Sequence, residues 1–432
     1  MKLDTIRIGL LGCGVVGSGV VKQLMSNQDN IALKTGCQLE IKKILVRDLT
    51  KQRPHEIPAE LFTADVNDIL EDPEIQIVIE LIGGIEPAKS YVVTALQKGK
   101  NIVTANKDLL AAHGKELFDA AAENGKDLRF EASVAGGIPI IQPLKESLAG
   151  NRIHRVMGII NGTTNYILTK MTAAGKEFAE ALQEAQALGY AEADPSADID
   201  GLDAARKIAI LASIAFQTRV SVNEVYVEGI RSISQLDIAY ARELGYSIKL
   251  LGLAQEVDGE IEVRVHPVMI PASHPLAAVN DVYNAVFVEG DAVGQTMFFG
   301  PGAGQMPTAS SVVGDVMAIA KNIKLGVTGQ LTGCTCFYQK RIRPIGQVRS
   351  SYYLRLLVRD QPGVLANIAG VLAENQVSIA SVLQKRTIGN SAEIVIITHQ
   401  VMEAGFNNAM SMIKNIPTVE QVNSIIRVET GT

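Results

Sequence analysis

The sequence predicts an α/β protein that begins with a parallel-sheet domain, continues into an α+β domain and ends in a small βαββαβ module. Three patterns predict this order. An apolar run, Thr5–Leu11, enters a glycine-rich turn that a helical pattern follows. Apolar strands then alternate with helices as far as residue 330. Residues 351–432 follow the strand and helix order of ferredoxin-like modules.

The glycine-rich turn has the spacing G-x-G-x-x-G and lies between a strand and a helix. Such a turn lets backbone N–H groups approach a pyrophosphate at the helix N-terminus. We therefore expect a Rossmann domain over residues 1–134 that binds NAD(P). The residues expected to contact the cofactor are Gly12, Gly14, Val15, Val16 and Gly17.

The second strand, Glu40–Val46, ends at Arg47 and Asp48, which bear on the choice of cofactor. An acidic residue at this point accepts a hydrogen bond from the ribose 2′-OH of NAD, whereas an arginine suits the 2′-phosphate of NADP. Lys51 and Arg53 follow and add positive charge. These residues could also be ordinary loop charges. The sequence favours NADP(H), with Arg47 as a ligand and with NAD(H) tolerated.

Lys107 follows the predicted strand Asn101–Thr104 directly. Ligands of open α/β sheets bind beyond the carboxyl ends of strands, so Lys107 is a candidate for cofactor contact and for catalysis. The alternative is an exposed cation in a βα loop. The domain also has predicted strands over Ile75–Ile82 and Leu128–Val134 and a helix over Pro87–Lys98.

The second domain is predicted to span residues 135–330. Strands are expected at 155–160, 246–255, 261–267 and 284–288, with a helix at 234–244. We expect Asn161–Asn165 (NGTTN) to be a loop after the first of these strands. Its short polar groups suit an anion or a substrate, although many such loops are only turns.

The most charged part of the second domain ends at Lys207. It carries, in order, Glu192, Asp194, Asp198, Asp200 and Asp203. A buried helix is predicted over residues 202–216, on which Asp203 and Lys207 are i,i+4 and share a face. The simpler interpretation is a structural salt bridge. Burial of two ions is unfavourable unless they are paired or used, so the position of this pair under a polar loop favours a binding pocket.

The C-terminal part of the second domain contains Gly300–Gly304 and then a helix predicted over residues 307–321. We expect this helix to pack back on the nucleotide domain, and Gly304 to contact the cofactor. Residues 331–350 are basic and irregular, which predicts a linker. The module at 351–432 contains no catalytic constellation.

Composition excludes several classes of function. The net charge of −6 gives no electrostatic support for nucleic-acid binding, and no apolar tract is long enough to span a membrane. The chain enters a strand without a leader, so we expect a cytoplasmic protein. The cysteines are too few and too scattered for a disulfide framework. Cys334 and Cys336 lack nearby metal-ligand partners in the sequence, and we expect them to be ordinary thiols.

The run from Ala185 to Lys207 resembles the signature of homoserine dehydrogenases, with the glycines, aspartates and lysine of that signature in place. Thr104–Lys107, Asn161–Asn165 and Glu131–Pro139 resemble further blocks of that family. The turn Asp360–Leu365 resembles that of ACT domains, which sense amino acids.

The resemblance implies reversible NAD(P)-dependent interconversion of L-homoserine and L-aspartate 4-semialdehyde, in threonine, methionine and isoleucine biosynthesis. It implies that Lys207 donates the proton, that Asp203 is its hydrogen-bond partner and that Lys107 lies close to cofactor and substrate. By their chemistry, Lys107 and Lys207 both remain candidates for proton exchange, since a desolvated lysine suits that role. Glu192 and Asp198 suit the substrate ammonium, and Gly162 and Thr163 its carboxylate.

The resemblance also implies a sodium ion held by Glu131 and the backbone oxygens of Val134, Gly136 and Ile138. In the module it implies L-threonine as a feedback effector, with Asp360, Gly363 and Ser378 as ligands. A helix N-terminus at Gly363 exposes N–H groups to a carboxylate. The alternative is a module that serves only dimerisation or stability. We expect a homo-oligomer, either a dimer or a tetramer.

Two other functions compete with this one. A semialdehyde dehydrogenase that acts on acyl phosphates or thioesters needs a nucleophilic cysteine, and the predicted substrate domain has none between Cys37 and Cys334. A non-catalytic sensor of dinucleotide and amino acid needs no pair of lysines at its site. The aldehyde–alcohol reaction is therefore favoured.

Overall fold

The structure is a computed structural model that describes residues 3–51, 57–330 and 333–429. Arg53, one of the basic residues after the second strand, lies outside the described residues. The described residues divide into two compact units. The first comprises residues 1–154, 209–222 and 284–339, and the second comprises residues 155–208, 223–283 and 340–432.

The strands, in chain order, are β1 Asp4–Leu11, β2 Cys37–Leu45, β3 Phe62–Thr63, β4 Ile75–Glu80, β5 Asn101–Thr104, β6 Leu128–Arg129, β7 Ile153–Ile159, β8 Tyr226–Val227, β9 Tyr246–Val257, β10 Glu260–Pro271, β11 Tyr283–Gly290, β12 Gly294–Pro301, β13 Arg349–Arg359, β14 Ile379–Ile388, β15 Ser391–Thr398, β16 Val401–Met402 and β17 Val419–Val428.

The helices are α1 Val15–Ser26, α2 Gln28–Thr35, α3 Asn67–Leu70, α4 Ala88–Gln97, α5 Lys107–Glu123, α6 Gly162–Ala174, α7 Phe178–Ala187, α8 Ser196–Ile199, α9 Leu202–Ala215, α10 Gln235–Glu243, α11 Gln305–Leu325, α12 Val364–Glu374 and α13 Glu403–Ile413. None of these described helices is long and apolar enough to cross a membrane.

The first unit is built on a parallel sheet with the strand order β3-β2-β1-β4-β5-β6. The order reverses between β1 and β4, and ligands of such sheets bind in the crevice at that point. β1 and β4 are central strands, so their apolar side chains, such as Ile8, Leu10 and Ile77, are fully buried. This topology confirms the predicted doubly wound α/β class.

Helix α11 belongs to the same core as the parallel sheet. Its small apolar residues Ala309, Val312 and Val316 are buried in one cluster with Val20 and Val21 of α1. The small side chains on α11 let the two helices approach closely, because bulky residues would hold them apart. The helix predicted over residues 307–321 therefore extends over Gln305–Leu325 and packs on α1.

The predicted strand Leu128–Val134 is longer than the observed one. Pairing ends at Arg129, and a 3₁₀ turn follows over Glu131–Ser133. The reason is the Glu131 carboxylate, which accepts hydrogen bonds from the backbone N–H groups of Ile140, Ile141 and Gln142. These bonds draw residues 140–142 onto Glu131, so the chain turns where an extended strand would have continued.

The second unit contains the strands β7-β9-β10-β17-β13-β15-β14 in one continuous sheet. The last four of these, with α12 and α13, form the predicted βαββαβ module. β17 of the module pairs in parallel with β10 through Val268–Arg427 and Met269–Val428. The module therefore shares a sheet with the rest of the second unit.

The basic segment before the module is docked rather than extended. Arg343 donates hydrogen bonds to Glu260 at 2.8 Å and to Glu262 at 2.9 Å, and Ile342 bridges to Ile261. Arg341 adds a bond to Glu260. The basic residues that predicted a linker are thus paired with acidic side chains of β10.

Candidate cofactor and substrate sites

The glycine-rich turn after β1 places its glycines in three different environments. Gly12 has a φ of +99°, and an added Cβ would lie 2.9 Å from a backbone oxygen. A Cβ on Gly17 would lie 2.3 Å from the Gly12 carbonyl oxygen. Gly14 caps α1, and a Cβ there would meet no described atom within 4 Å. The turn is therefore closed at Gly12 and Gly17 and open at Gly14, where the N–H groups of Val15 and Val16 begin the helix.

Gly304 lies in the same corner of the first unit. It is the N-cap of α11, with a φ of +129°. The next residue, Gln305, donates a side-chain hydrogen bond of 2.9 Å to Ser18 of α1. A Cβ on Gly19 would lie 2.8 Å from the Gln305 backbone oxygen. The N-termini of α1 and α11 therefore meet, and together they offer two sets of helix N–H groups to an anionic ligand.

Arg47 lies beyond the end of β2 and is exposed. Its neighbour Asp48 is engaged locally, since its carboxylate accepts hydrogen bonds from the backbone N–H and the hydroxyl of Thr50 at 2.8 and 2.6 Å. An aspartate used to cap a turn is less available to a ribose hydroxyl, whereas Arg47 is displayed to solvent. This difference favours a phosphate ligand over a hydroxyl ligand.

Glu80, a buried glutamate that was not predicted as a site residue, lies at the edge of the crevice in the first unit. Glu80 is fully buried at the end of β4 and accepts hydrogen bonds from Ile82 and Gly83 N–H groups and from the Thr104 hydroxyl at 2.6 Å. A charged residue inside the apolar run Ile75–Ile82 was the signal, because a buried carboxylate requires donors. Glu80 thus joins the loops after β4 and β5.

Lys107 is the first residue of α5 and is half-buried. Asn106 before it caps the helix by accepting the Leu109 N–H at 3.1 Å, and its amide donates to the Gly84 carbonyl at 2.6 Å. The helix α5 was not predicted. Its rigid cap holds Lys107 at the carboxyl edge of the sheet in the first unit, where the strand order had placed it.

The centre of the second unit is the Lys207 ammonium on α9. Its Nζ donates to the Asp203 carboxylate at 2.7 Å and to the Ile160 carbonyl at 2.8 Å. The Lys207 side chain is 13% exposed and that of Asp203 is 8% exposed. Two of the three ammonium protons are therefore held by fixed acceptors, which leaves one for a further acceptor.

The segment Asn161–Asn165 is not a loop, contrary to the prediction. Asn161 is the N-cap of α6 and accepts the Thr164 N–H at 2.9 Å. Asn and Thr favour caps because their side chains bond to nearby N–H groups. The Asn161 amide also donates to Asp198 at 2.7 Å and to Asp203 at 3.0 Å. One residue therefore caps the helix and joins the two carboxylates.

The remaining predicted substrate residues divide into two groups. Gly162 and Thr163 open α6 beside Asn161, and the Thr163 hydroxyl donates to the Tyr190 carbonyl at 2.7 Å. The N–H groups of a first helical turn have no acceptor within the helix. Asp198 is half-buried, next to Asn161. Glu192 is exposed in the loop between α7 and α8. The hydrogen bonds of Asn161 therefore connect Asp198 to Asp203, the partner of Lys207, but do not include Glu192.

The predicted cation ligands lie in the turn after Glu131. The carboxylate of this buried residue accepts three backbone N–H groups, which occupies three of its roughly four acceptor positions. The Gly136 carbonyl accepts the Ser311 hydroxyl at 2.7 Å. Burial raises the pKa of Glu131. The carboxylate of Asp315 accepts the Glu131 N–H, and burial raises the pKa of Asp315 to about 7. The predicted ligands are all oxygen atoms, the type that hard cations such as sodium prefer, and protein donors already occupy most of the acceptor positions of Glu131.

The predicted effector residues are not brought together within one chain. Asp360 and Gly363 lie at the end of β13, where Asp360 N–H donates to Asn390 and its carboxylate meets Thr387 near the end of β14. Ser378 precedes β14, and its carbonyl accepts the His399 N–H at 2.8 Å. Ser378 and Thr387 are thus at opposite ends of one strand, roughly 30 Å apart at the rise of an extended chain.

Arg355 of β13 connects the module to α10 by hydrogen bonds. Its guanidinium donates to Asp237 at 2.7 and 3.2 Å and to Glu393 at 3.0 Å. Asp237 is fully buried and forms a capping box with Ser234 at the start of α10. The Tyr353 hydroxyl also donates to Asp237. Burial alone would lower the pKa of Arg355, but the hydrogen bonds that it donates to Asp237 and Glu393 outweigh burial and raise the pKa. This interface therefore contains a permanent charge.

Arg427 of β17 forms a second connection. It pairs with Glu403 of α13, and its Nη1 donates to Glu228 at 2.8 Å, directly after β8. Its Nη2 donates to the Tyr226 hydroxyl at 3.2 Å. Arg427 is buried, whereas the Glu228 side chain is 40% exposed. The module is thus bound to the rest of the second unit by hydrogen-bonded charges as well as by strand pairing.

Comparisons with known proteins agree with this architecture. Residues 139–317 match the sequence profile of homoserine dehydrogenase, residues 12–131 that of its NAD-binding domain, and residues 352–418 that of the ACT domain. The homoserine dehydrogenase of Bacillus subtilis (strain 168) is 48% identical over 430 residues, with 99% of each chain covered.

Solved structures give the same result. A homoserine dehydrogenase from Thiobacillus denitrificans superimposes with a TM-score of 0.94 at 42% identity, with 99% of each chain covered. A hyperthermophilic archaeal homoserine dehydrogenase, described as a complex with NADPH, superimposes with a TM-score of 0.61 at 28% identity, and covers 74% of this chain and 98% of its own.

Proposed function

This chain belongs to the homoserine dehydrogenase family and is an oxidoreductase that acts on a CH–OH group, and from that premise we propose that it interconverts L-aspartate 4-semialdehyde and L-homoserine with NADP(H) under feedback control by L-threonine. The observation that carries the proposal is the buried Lys207 ammonium, fixed between Asp203 and the Ile160 carbonyl. These two bonds leave one proton of the ammonium for a substrate oxygen.

Lys207 is the proton donor in the direction of reduction. The bound nicotinamide supplies the hydride. As the aldehyde carbon gains the hydride, its oxygen takes a proton from the Lys207 ammonium and becomes the hydroxyl of homoserine. Asp203 compensates the charge of Lys207 and fixes its position, and the Ile160 carbonyl prevents rotation of the ammonium. Lys107, held by the cap of α5, is assigned to contact with the cofactor and the substrate.

The amino-acid head of the substrate is assigned to the start of α6 and to the acidic segment that carries Glu192 and Asp198. The Gly162 and Thr163 N–H groups form the first turn of α6, where the helix dipole favours a carboxylate. Asp198 of α8, with Glu192 in the loop before that helix, provides negative charge for the ammonium. Asn161 orients Asp198 and Asp203 together, so the binding and proton-transfer groups are set by one side chain.

Arg47 is assigned to the 2′-phosphate of NADP(H), because it is displayed to solvent while Asp48 is engaged by Thr50. We assign a sodium ion to the Glu131 carboxylate and the Val134, Gly136 and Ile138 carbonyls. Its role is to hold the turn after Glu131, which shares the first unit with the nucleotide-binding turn.

The contacts between the module and the rest of the second unit support control by threonine. The ion pairs of Arg355 and Arg427 join the module to α10 and β8, so a ligand that changes the module changes these contacts. Because Asp360 and Ser378 are far apart in one chain, a threonine site that uses both requires two modules, as in a symmetric oligomer.

The decisive experiment follows the absorbance of reduced nicotinamide in purified protein supplied with homoserine and NADP. We expect turnover by wild type, loss of turnover in Lys207→Ala and little change in Lys170→Ala, a half-exposed lysine of the second unit. A non-catalytic sensor would show homoserine binding by calorimetry with no turnover, and that result would refute the proposal.

A further inference from the structure

A cavity of about 260 Å³ in the first unit contains two thiols and two cations that the dehydrogenase chemistry does not use. Its walls come from α5, from the second half of α9, and from the segment that follows α11. The residues that bear on its chemistry are Phe118, Phe130, Lys145, Arg219, Cys334 and Cys336.

The two cysteine side chains are in contact with each other and with positive charge. The Cys336 N–H donates to the Cys334 sulphur at 3.4 Å, and Arg219 Nη2 lies 3.9 Å from the same sulphur. Lys145 lies 5.9 and 5.6 Å above the rings of Phe118 and Phe130 and donates to the Gly333 carbonyl, next to Cys334. These donors favour a thiolate at Cys334.

The two thiols are also differentiated. The hydrogen bond from the Cys336 thiol, aided by the Cys336 N–H, Arg219 and Lys145, lowers the pKa of Cys334, and the same thiol–thiol bond raises the pKa of Cys336. A thiolate beside a protonated thiol is the arrangement in which one cysteine attacks an oxidant and the other resolves the product. Both residues are partly exposed, so a small oxidant can reach them.

We propose that Cys334 and Cys336 form a redox-active dithiol, in which Cys334 attacks hydrogen peroxide and Cys336 resolves the product to a disulfide. In the first step the Cys334 thiolate forms an S–O bond while the O–O bond breaks. The sulphur is oxidised to a sulfenic acid, and the departing hydroxide takes a proton to become water. In the second step the Cys336 sulphur attacks the sulfenic sulphur, the S–S bond forms, the S–O bond breaks and a second water leaves with the Cys336 proton.

The disulfide is expected to be easy to reduce. A disulfide between cysteines two residues apart closes a short ring, which limits its freedom to reach the preferred disulfide geometry. The following residues resist adjustment, because Tyr338 N–H donates to Gln217 and the Thr218 hydroxyl donates to the Tyr338 carbonyl, both at 2.9 Å. Strained disulfides are the labile ones, so the pair suits reversible oxidation.

The test treats the full-length protein with hydrogen peroxide and maps the products by mass spectrometry. We expect wild type to lose two hydrogen atoms from the peptide that contains Cys334 and Cys336, and dithiothreitol to restore them. In Cys336→Ser, dimedone should trap a sulfenic acid at Cys334. In Cys334→Ser, Cys336 should stay reduced. A disulfide through Cys13 or Cys37, or no preferential oxidation of Cys334, would overturn the proposal.

Alkylation kinetics provide a second, independent measurement on folded protein. The rate at Cys334 should reach its plateau at lower pH than that of an ordinary thiol, whose pKa is about 8.5. Arg219→Gln should slow alkylation at neutral pH, whereas Arg152→Gln, an exposed arginine of the same unit, should not. Equal rates in the two variants would show that Arg219 does not activate Cys334 and would contradict the proposed thiolate.

Discussion

The Arg427 guanidinium and the Glu228 carboxylate form a 2.8 Å hydrogen bond that joins the C-terminal module to β8 of the same unit. The chain after Glu228 lies against the loop before α9. The Ile230 N–H donates to the Ile199 carbonyl at 2.8 Å, and a Cβ on Gly229 would lie 2.2 Å from that oxygen. Ile199 follows Asp198 directly in α8, so the Arg427–Glu228 pair connects the module to Asp198 through a short run of packed backbone.

The Arg427–Glu228 pair is predicted to transmit threonine inhibition. In Glu228→Gln, Arg427 keeps its bonds to Glu403, so the fold should persist and activity without threonine should stay near that of wild type. The ratio of activities without and with saturating threonine, expected at about 5–150-fold in wild type, should fall towards one. Glu224→Gln, at an exposed glutamate before β8, is the control. Unchanged inhibition in Glu228→Gln would exclude this connection.

Lys207→Ala should lower kcat by about 10²–10⁴-fold, the range for loss of a general acid. The KM for NADP(H) should change little, because Lys207 bonds only to groups of the second unit. Asp203→Asn should lower kcat as well, since the Lys207 ammonium loses its counter-charge. Steady-state kinetics with both substrates measure these effects, and a kcat near that of wild type in Lys207→Ala would remove Lys207 as the donor.

Asn161 should show two separable roles. Asn161→Ala removes the cap of α6, which costs about 0.5–2 kcal/mol, and it removes the amide that joins Asp198 to Asp203. The Tm should fall and the KM for homoserine should rise. Asn161→Ser retains a capping oxygen but is too short to reach both carboxylates, so only the KM should change. If serine restored both properties, the bonds to the carboxylates would be irrelevant to binding.

Arg47→Ala should raise the KM for NADP(H) by about 10- to 100-fold, because a hydrogen bond to a charged group contributes about 1.5–3 kcal/mol. The KM for NAD(H) should hardly change, since NAD lacks the 2′-phosphate. Lys51→Ala, a neighbouring exposed cation, is the control for general charge effects. Equal losses with both cofactors would mean that Arg47 has a structural role instead.

Lys249 should make stability depend on pH in the alkaline range. It is buried between Asn165, Val279 and Asn280, and burial lowers its pKa from 10.5 to about 8. The unfolded chain therefore binds more protons than the folded one between these values, so stability from this group rises as pH rises from about 8 towards 10.5. Urea midpoints of wild type should increase over this window relative to Lys249→Gln. Parallel curves would show that Lys249 stays charged in the fold.

Most of the secondary structure could be predicted from local pattern. The strand Asn101–Thr104 has the predicted bounds, and the helix predicted at 234–244 is observed over Gln235–Glu243. Where prediction failed, a side chain from elsewhere in the chain decided the outcome. The strand after Leu128 ends because Glu131 binds residues 140–142, and NGTTN is helical because Asn161 caps it.

The sequence by itself determined the strand–turn–helix of the glycine-rich turn, the i,i+4 relation of Asp203 and Lys207 and the order of elements in the module. Those features depend on periodicity and on residues a few positions apart, so they can be read locally. The tertiary structure alone decided that Asn161 joins Asp198 to Asp203, that Arg427 joins the module to Glu228, and that Arg219 lies beside the Cys334 sulphur. The partners that contact each other in these sets are 37 to 199 positions apart. Charged and polar partners separated by that distance along the chain leave no local pattern, because only the packing of the sheets brings them within hydrogen-bond distance.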